Sequence, residues 1–310
     1  MWGSDAVREG AHDGGLGDAA MVILDGGMST QLESMGHDIS GSLWTAQLLG
    51  TEPDAIRSAH RAFIDAGADV IITASYQVSR QGFVDAGFDA DRADEALRRS
   101  VDVARAAVGD FDRTVLVAAS VGPYGAIRHD GSEYRGNYGL TLKELIAFHR
   151  PRIEVLVAAA PDLLAIETIP DLREAEALAE VLADFPGIRS WITFTARSEG
   201  AVCAGQSIEE AVLAAASIPG VERVGINCTD PRLVPALLDR MAAATTLPLI
   251  AYPNAGGTWN SVTGSWDDVT QADIVRNARE WAAHGATWVG GCCGTDAAAI
   301  EAISRALRAE

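Results

Sequence analysis

The residue spacing that most sharply defines a chemistry in this chain is that of three cysteines. Cys228 follows the apolar run RVGIN, and Cys292 and Cys293 stand together in GGCCGT (290–295). A lone cysteine is commonly a small buried hydrophobe, and Cys203, in a glycine-containing loop without partners, is read that way. Three cysteines at the ends of two apolar runs match a catalytic zinc site, in which three thiolates at about 2.3 Å leave a fourth position open. The glycines flanking the pair permit the sharp turn that lets both sulfurs face one ion. Three thiolates donate more charge than histidines, so such a site activates water poorly. It is suited to holding an incoming thiol deprotonated while leaving its sulfur nucleophilic. That chemistry is alkyl transfer onto sulfur.

An alkyl donor for a thiolate needs a good leaving group. A sulfonium or quaternary ammonium departs as a neutral molecule without a general acid, and its cation is favoured by aromatic faces and carboxylates. Two carboxylates interrupt otherwise apolar runs, Asp25 in MVILDGG and Glu167 in LLAIETI. Trp44, in a long loop, and Tyr76, just past the run DVIITAS, are candidates for the aromatic wall.

These residues need elements that bring them together. Eight nearly continuous apolar runs lie at 21–27, 69–75, 114–120, 163–169, 190–196, 223–228, 248–254 and 287–293. Each is rich in β-branched residues, as strands buried on both faces of a parallel sheet are. Helical patterns alternate with them at about 52–67, 91–108, 141–160, 171–184, 207–217, 231–244, 270–284 and 296–309. Eight strand–helix units predict an α/β fold, a single (β/α)8 TIM barrel with the metal site at the carboxyl ends of the strands. Residues 21–310 read as one barrel domain behind a flexible tail at 1–20. Long connections at about 28–51 and 121–140 follow strands, which places them over the catalytic face.

Composition narrows the partners. The net charge of −19 opposes nucleic acid or an anionic membrane as the main partner. No stretch reaches 18 consecutive apolar residues, so no transmembrane helix is expected. The first 20 residues lack the basic and apolar regions of a signal peptide. Four cysteines are too few for a disulfide scaffold, and a reduced, cytoplasmic protein is expected.

The motifs together resemble a known family, the zinc-dependent homocysteine S-methyltransferases that use S-methylmethionine or S-adenosylmethionine. The likeness runs from about Val22 to Ile303 through LDGGMSTQLE, SLWTAQLL, ITASYQ, SVGPYGA, DGSEYRGNY, FHRPR, GINC, YPNAG and GGCCGT. GGCC with an upstream NC is the most specific part; DGG alone is weak. The resemblance implies a (β/α)8 barrel with Zn2+ on Cys228, Cys292 and Cys293 and homocysteine sulfur as the fourth ligand. Relatives that use betaine, and the homocysteine module of cobalamin-dependent methionine synthase, share that site. It further implies that Asp25 and Gly26 hold homocysteine, that Glu167 meets its amino group, and that Trp44 and Tyr76 line the donor side. Thr168 and Asn254 complete the implied substrate contacts. This chain has Gly294 where many relatives have Arg, and Asn137 where Asp is common.

Other readings of the same residues stay open. Betaine could replace the sulfonium, or a selenol the thiol acceptor. A non-catalytic barrel could use Cys292 and Cys293 as a vicinal disulfide redox sensor, or bind homocysteine as a sensing module for a partner protein. The chain ends shortly after GGCCGT, and a monomer or weak homodimer is expected.

Overall fold

Each of the eight apolar runs forms a parallel strand. In chain order they are β1 (Val22–Ile23), β2 (Val70–Ile72), β3 (Leu116–Val121), β4 (Leu163–Ile169), β5 (Ser190–Phe194), β6 (Val221–Asn227), β7 (Leu249–Tyr252) and β8 (Ala286–Val289). The computed structural model describes residues 21–39, 45–109, 111–256, 258–260, 265–267 and 270–309. The tail at 1–20 and Trp44 therefore lie outside the described residues. Strands pair in the order β1-β8-β7-β6-β5-β4-β3-β2, and a parallel bridge from Leu24 to Val70 closes the ring.

Asp69 secures the closure. Its backbone N–H donates to the Ile23 carbonyl at 2.7 Å, and its carboxylate accepts from the Ile23 N–H at 2.9 Å. Arg113 and Arg308 neutralise that carboxylate at 3.1 and 2.6 Å. This charge cluster sits at the amino ends of the strands, the face that in barrels serves stability.

A helix follows each strand: α1 (Pro53–Asp65), α2 (Ala90–Val108), α3 (Leu142–Ala158), α4 (Leu172–Leu182), α5 (Ile208–Ala216), α6 (Val234–Ala244), α7 (Gln271–Ala283) and α8 (Ala297–Arg308). Capping boxes start α3, α5 and α7, at Thr141 with Glu144, Ser207 with Glu210 and Thr270 with Asp273. Each supplies two otherwise orphaned backbone donors with partners. Apolar side chains fall into two layers. One lies between strands and helices, and a smaller one fills the barrel with Leu24, Val70, Trp191, Tyr252 and Trp288 among others. The barrel is thus a packed core, open to ligands only at its ends.

The strand and helix pattern agrees with the periodicity; the connections are richer than it predicts. Short helices occupy Met28–Ser34, Thr45–Thr51 and Arg80–Asp85. The segment after β3 contains 3-10 turns at Tyr124–Ile127 and Ser132–Tyr134, and a hairpin (Ala196–Ser198 with Ala201–Val202) follows β5. Two helical turns are too few to give a readable hydrophobic period.

Candidate active site

The site forms where β1, β4, β6 and β8 run out. Strand β6 ends at Asn227, and Cys228 takes a left-handed conformation with φ 45°. That backbone is unfavourable for a side-chain-bearing residue and persists only where neighbours hold it. Here Thr195 Oγ1 donates to the Cys228 carbonyl at 3.1 Å, and Thr229 Oγ1 donates to the Asn227 carbonyl at 2.9 Å. Thr168, at the end of β4, is also left-handed with φ 61°. Its N–H donates to Asn227 Oδ1 at 2.7 Å, and Asn227 Nδ2 donates to Thr168 Oγ1 at 2.8 Å. The Asn227 amide also accepts from Thr193 Oγ1 at 2.8 Å. One buried side chain therefore ties β4, β5 and β6 together immediately before the first cysteine.

The GGCCGT loop is gripped from both sides. The Cys292 N–H donates to the Pro253 carbonyl at 2.9 Å, and the Cys293 carbonyl accepts from the Ala255 N–H at 2.9 Å, so the YPNAG segment acts as a backbone cradle. On the other side, the Gly291 N–H donates to the Asp25 carbonyl at 3.1 Å and the Gly294 N–H to Thr30 Oγ1 at 3.0 Å. The approach is too close for side chains: a Cβ on Gly26 would sit 2.4 Å from the Thr295 carbonyl oxygen, and one on Gly27 2.5 Å from that of Cys292. Gly294 has φ 79°, a conformation an arginine would enter only with strain. Asn137 also adopts φ 52°, which Asn tolerates, and its N–H donates to Asp171 Oδ2 at 3.0 Å.

The ligand atoms of Cys228, Cys292 and Cys293 all lie within 4.8 Å of one another. Cys228 approaches Cys292 across the barrel mouth, with Cα atoms 5.6 Å apart, and Cys293 stands beside them. The Cys293 sulfur lies within hydrogen-bonding reach of the Tyr134 hydroxyl. Burial pushes the Cys293 thiol up to about 11; a cation held against it would reverse that direction. Three convergent sulfurs without a histidine suit a soft metal ion.

The carboxylates flank this cluster. Asp25 Oδ2 accepts from the Ile72 N–H at 2.7 Å, while its buried Oδ1 has no partner among the described residues. Burial holds its carboxyl well above the usual range, the Ile72 bond opposes that, and the charge of Glu167 adds to it. Glu167 accepts from Ser120 Oγ and lies within reach of the Tyr252 hydroxyl. Burial still raises it to about 7. Tyr252 OH in turn accepts from Trp191 Nε1 at 2.9 Å and pairs with Thr193 Oγ1 at 2.8 Å. Tyr76 lies half-buried with its hydroxyl within reach of Thr168. Asn254 places a second unpartnered oxygen, Oδ1, next to the cradle residue Pro253. Ser120, Tyr252, Asn227, Glu133 and Tyr134 were not singled out as site residues from sequence. The runs SVG, YPN, GINC and DGSEYRGNY hold them, but their partners come from distant strands.

A closed barrel with three convergent cysteines and buried carboxyls at the carboxyl ends of its strands has the layout of a (β/α)8 enzyme with a thiol-lined site. The profile described as Homocysteine S-methyltransferase matches residues 22–307. Homocysteine S-methyltransferase 4 of Zea mays is 42% identical, covering 99% of this chain and 96% of its own length. Selenocysteine Se-methyltransferase of Brassica oleracea var. italica is 39% identical over 92% of this chain and 88% of its own. The homocysteine methyltransferase MmuM of Escherichia coli has been solved in oxidised and metallated forms, each with a TM-score of 0.84. They are 40% and 39% identical, cover 92% and 93% of this chain, and are themselves covered to 95% and 96%. The chain belongs to the homocysteine S-methyltransferase family and is a methyltransferase. Among the described residues no helix is long and apolar enough to cross a membrane.

Proposed function

We propose that this chain transfers a methyl group from a sulfonium donor, S-methylmethionine or S-adenosylmethionine, to the thiolate of L-homocysteine, giving L-methionine. The observation that carries this reading is the convergence of the Cys228, Cys292 and Cys293 sulfurs within 4.8 Å at the barrel mouth. In their reduced state these three would hold Zn2+, which when bound lowers the pKa of a substrate thiol so that it is a thiolate at neutral pH. Residues 21–310 then act as one homocysteine-binding catalytic domain, working in the cytoplasm as a monomer or weak homodimer.

The protein's own residues bind and align. Asp25 and Glu167 offer buried carboxyl oxygens to the homocysteine ammonium, and Asp25 Oδ1 has no other hydrogen-bond partner among the described residues. Gly26 lets the end of β1 pack directly against the Thr295 carbonyl beside the cysteine loop. Tyr76 walls the donor side, with Thr168 fixing its hydroxyl and Asn254 presenting an acceptor across the mouth, and Trp44 is assigned to the same wall by the family likeness alone. In the transfer, the donor's S–CH3 bond breaks as the new S–CH3 bond to homocysteine forms. The electron pair leaves with the donor sulfur as a neutral thioether, and the thiol proton has gone to solvent beforehand. Alignment of the two sulfurs supplies much of the rate, since a positioned near-attack geometry replaces a bimolecular encounter.

A selenol acceptor is the second reading, favoured by the likeness to the Brassica Se-methyltransferase. The test is one panel read by mass spectrometry: S-methylmethionine, S-adenosylmethionine and betaine as donors, each against homocysteine and selenocysteine, with metal content measured in parallel. Methionine from a sulfonium donor with about one zinc per chain is expected. Transfer from betaine alone, or turnover undiminished by chelation, overturns the reading.

A further inference from the structure

The segment after β3 carries an anionic group that the family likeness and the metal site leave without a task. Glu133 lies in the turn Ser132–Tyr134, is 8% exposed, and its Oε2 has no hydrogen-bond partner among the described residues. A buried carboxylate oxygen without a donor is expensive unless something supplies one. The neighbouring cation does not. Arg135 is turned away, its Nη1 donating to the Asp130 carbonyl at 2.9 Å and its Nη2 to Ser132 Oγ at 3.1 Å. The turn itself is fixed by the Ser132 N–H donating to Asp130 Oδ1 at 3.0 Å and by close stacking on Gly125. Glu133 is thus held rigidly with its acid group inward.

What it faces is the active site. Its charge acts on Cys293, Tyr76 and Tyr134, which places it at the barrel mouth between the thiol cluster and the aromatic wall. The described groups there that lack a partner, Asp25 Oδ1, Asn254 Oδ1 and Glu133 Oε2, are all hydrogen-bond acceptors. Unpartnered buried atoms that are all acceptors, flanked by two tyrosines, fit a positively charged ligand.

We propose that Glu133, with Tyr76 and Tyr134, forms the subsite that recognises the positive charge of the methyl donor, and so sets the preference for cationic over neutral sulfur compounds. This rests on the sulfonium-donor reading above. The acid at Asp25 and Glu167 lies on the homocysteine side, so the two substrates are sorted by separate carboxylates. Because Glu133 binds a cation that is neutralised as the methyl leaves, its contribution falls on donor binding. It does not stabilise the transition state further.

The experiment measures steady-state KM for S-methylmethionine and for homocysteine separately, with kcat, in the zinc-loaded wild type, Glu133→Gln and Glu133→Asp. Titration calorimetry of S-methylmethionine into each protein reads binding without turnover, and thermal melts check folding. Glu133→Gln is expected to raise the donor KM and Kd by about tenfold or more, the scale of losing one charge-assisted hydrogen bond. The homocysteine KM and kcat should stay within about twofold. Glu133→Asp retains the charge and should recover part of the donor affinity; it also serves as the variant if Glu133→Gln does not fold. An unchanged donor KM, equal rises in both KM values, or a loss confined to kcat overturns the assignment. If the wild type uses no sulfonium donor at all, the functional reading itself falls. If it does and Glu133→Gln is indifferent, only the subsite is lost.

Discussion

Around Cys292 and Cys293 the backbone does most of the holding, whereas on the other side of the mouth side chains hold the backbone. At the thiol end, glycine-permitted close approach and main-chain hydrogen bonds to the Pro253 and Asp25 carbonyls and from the Ala255 N–H fix GGCCGT. On the donor side, the buried Arg152 donates to the carbonyls of Gly122 at 2.9 Å, Tyr76 at 2.8 Å and Ser75 at 3.3 Å. Beside it the buried Glu174 accepts from the Tyr124 N–H at 2.6 Å and the Tyr138 hydroxyl at 3.1 Å, and pairs with His149 Nε2 at 2.9 Å. The motifs SVGPYGA, DGSEYRGNY and FHRPR are thereby one polar scaffold behind Tyr76 and Glu133. A rigid thiol end suits a fixed metal geometry. A donor side hung on a few side chains can be retuned one residue at a time.

The sharpest way to break this contrast is at the thiol end. Cys228→Ser removes one of three convergent sulfurs without disturbing the Asn227 amide that joins the strands. Methyl transfer is expected to fall more than about 10³-fold, the scale of losing an activated nucleophile, with metal stoichiometry reduced and the melting temperature nearly kept. A variant that keeps its zinc and its rate removes Cys228 from the site. Gly27→Ala tests the claim that backbone proximity does the holding. Its Cβ would press on the Cys292 carbonyl at 2.5 Å. A destabilisation of about 1–3 kcal/mol is expected from such overpacking, with up to about 10²-fold lower kcat from displaced sulfurs. Denaturant midpoints and kcat would check it; wild-type values in both would mean the loops are not in forced contact.

Arg152→Met sharpens the other half. It fills similar space but leaves three carbonyls without their donor, a loss of about 1–3 kcal/mol for a buried group. Burial already pulls the guanidinium down to about 10, so the scaffold holds this charge in place against its desolvation. The donor KM should rise by about tenfold while zinc content and the homocysteine KM hold. Equal damage to both substrates would show that the two sides of the mouth are one mechanical unit.

The difference between the two regions also explains what was legible in the sequence. The strands and helices of the barrel follow from alternating apolar runs, and the thiol end is visible because Cys292, Cys293 and their glycines are contiguous. Glu133 and Arg152 do not stand out within their motifs, because what Glu133 faces and what Arg152 binds come from distant segments, Ser75 lying 77 residues from Arg152. A buried arginine that binds carbonyls reads in sequence like any solvated one. Asn227 falls inside an apolar run in the sequence, but its cross-strand bonding depends on the left-handed turn at Thr168, which no propensity predicts in a β-branched residue.

The smallest effect expected is a pH dependence at the carboxylate that stands between the two regions. Burial raises Glu167 to about 7, with Ser120, Tyr252 and Arg152 pulling the other way. Below that pH the acid is neutral and offers the homocysteine ammonium no charge; above it the carboxylate forms. The ionised fraction rises about tenfold between pH 6 and pH 8 across a pKa near 7, and the homocysteine KM should fall by about fivefold, less than that because the protonated acid still offers a hydrogen-bond acceptor. The sign for stability is opposite. In the unliganded protein the folded state keeps a proton that the unfolded chain releases at about 4.5, so stability declines as pH rises from 4.5 toward 7. Glu167→Gln should flatten both trends, with KM near the acidic value throughout. The donor KM, set by Glu133 on the far side, should follow neither. If Glu167→Gln left the homocysteine KM as pH-sensitive as before, the titrating group would be the substrate thiol, and Glu167 would belong to the packing that positions Ser120 and Tyr252.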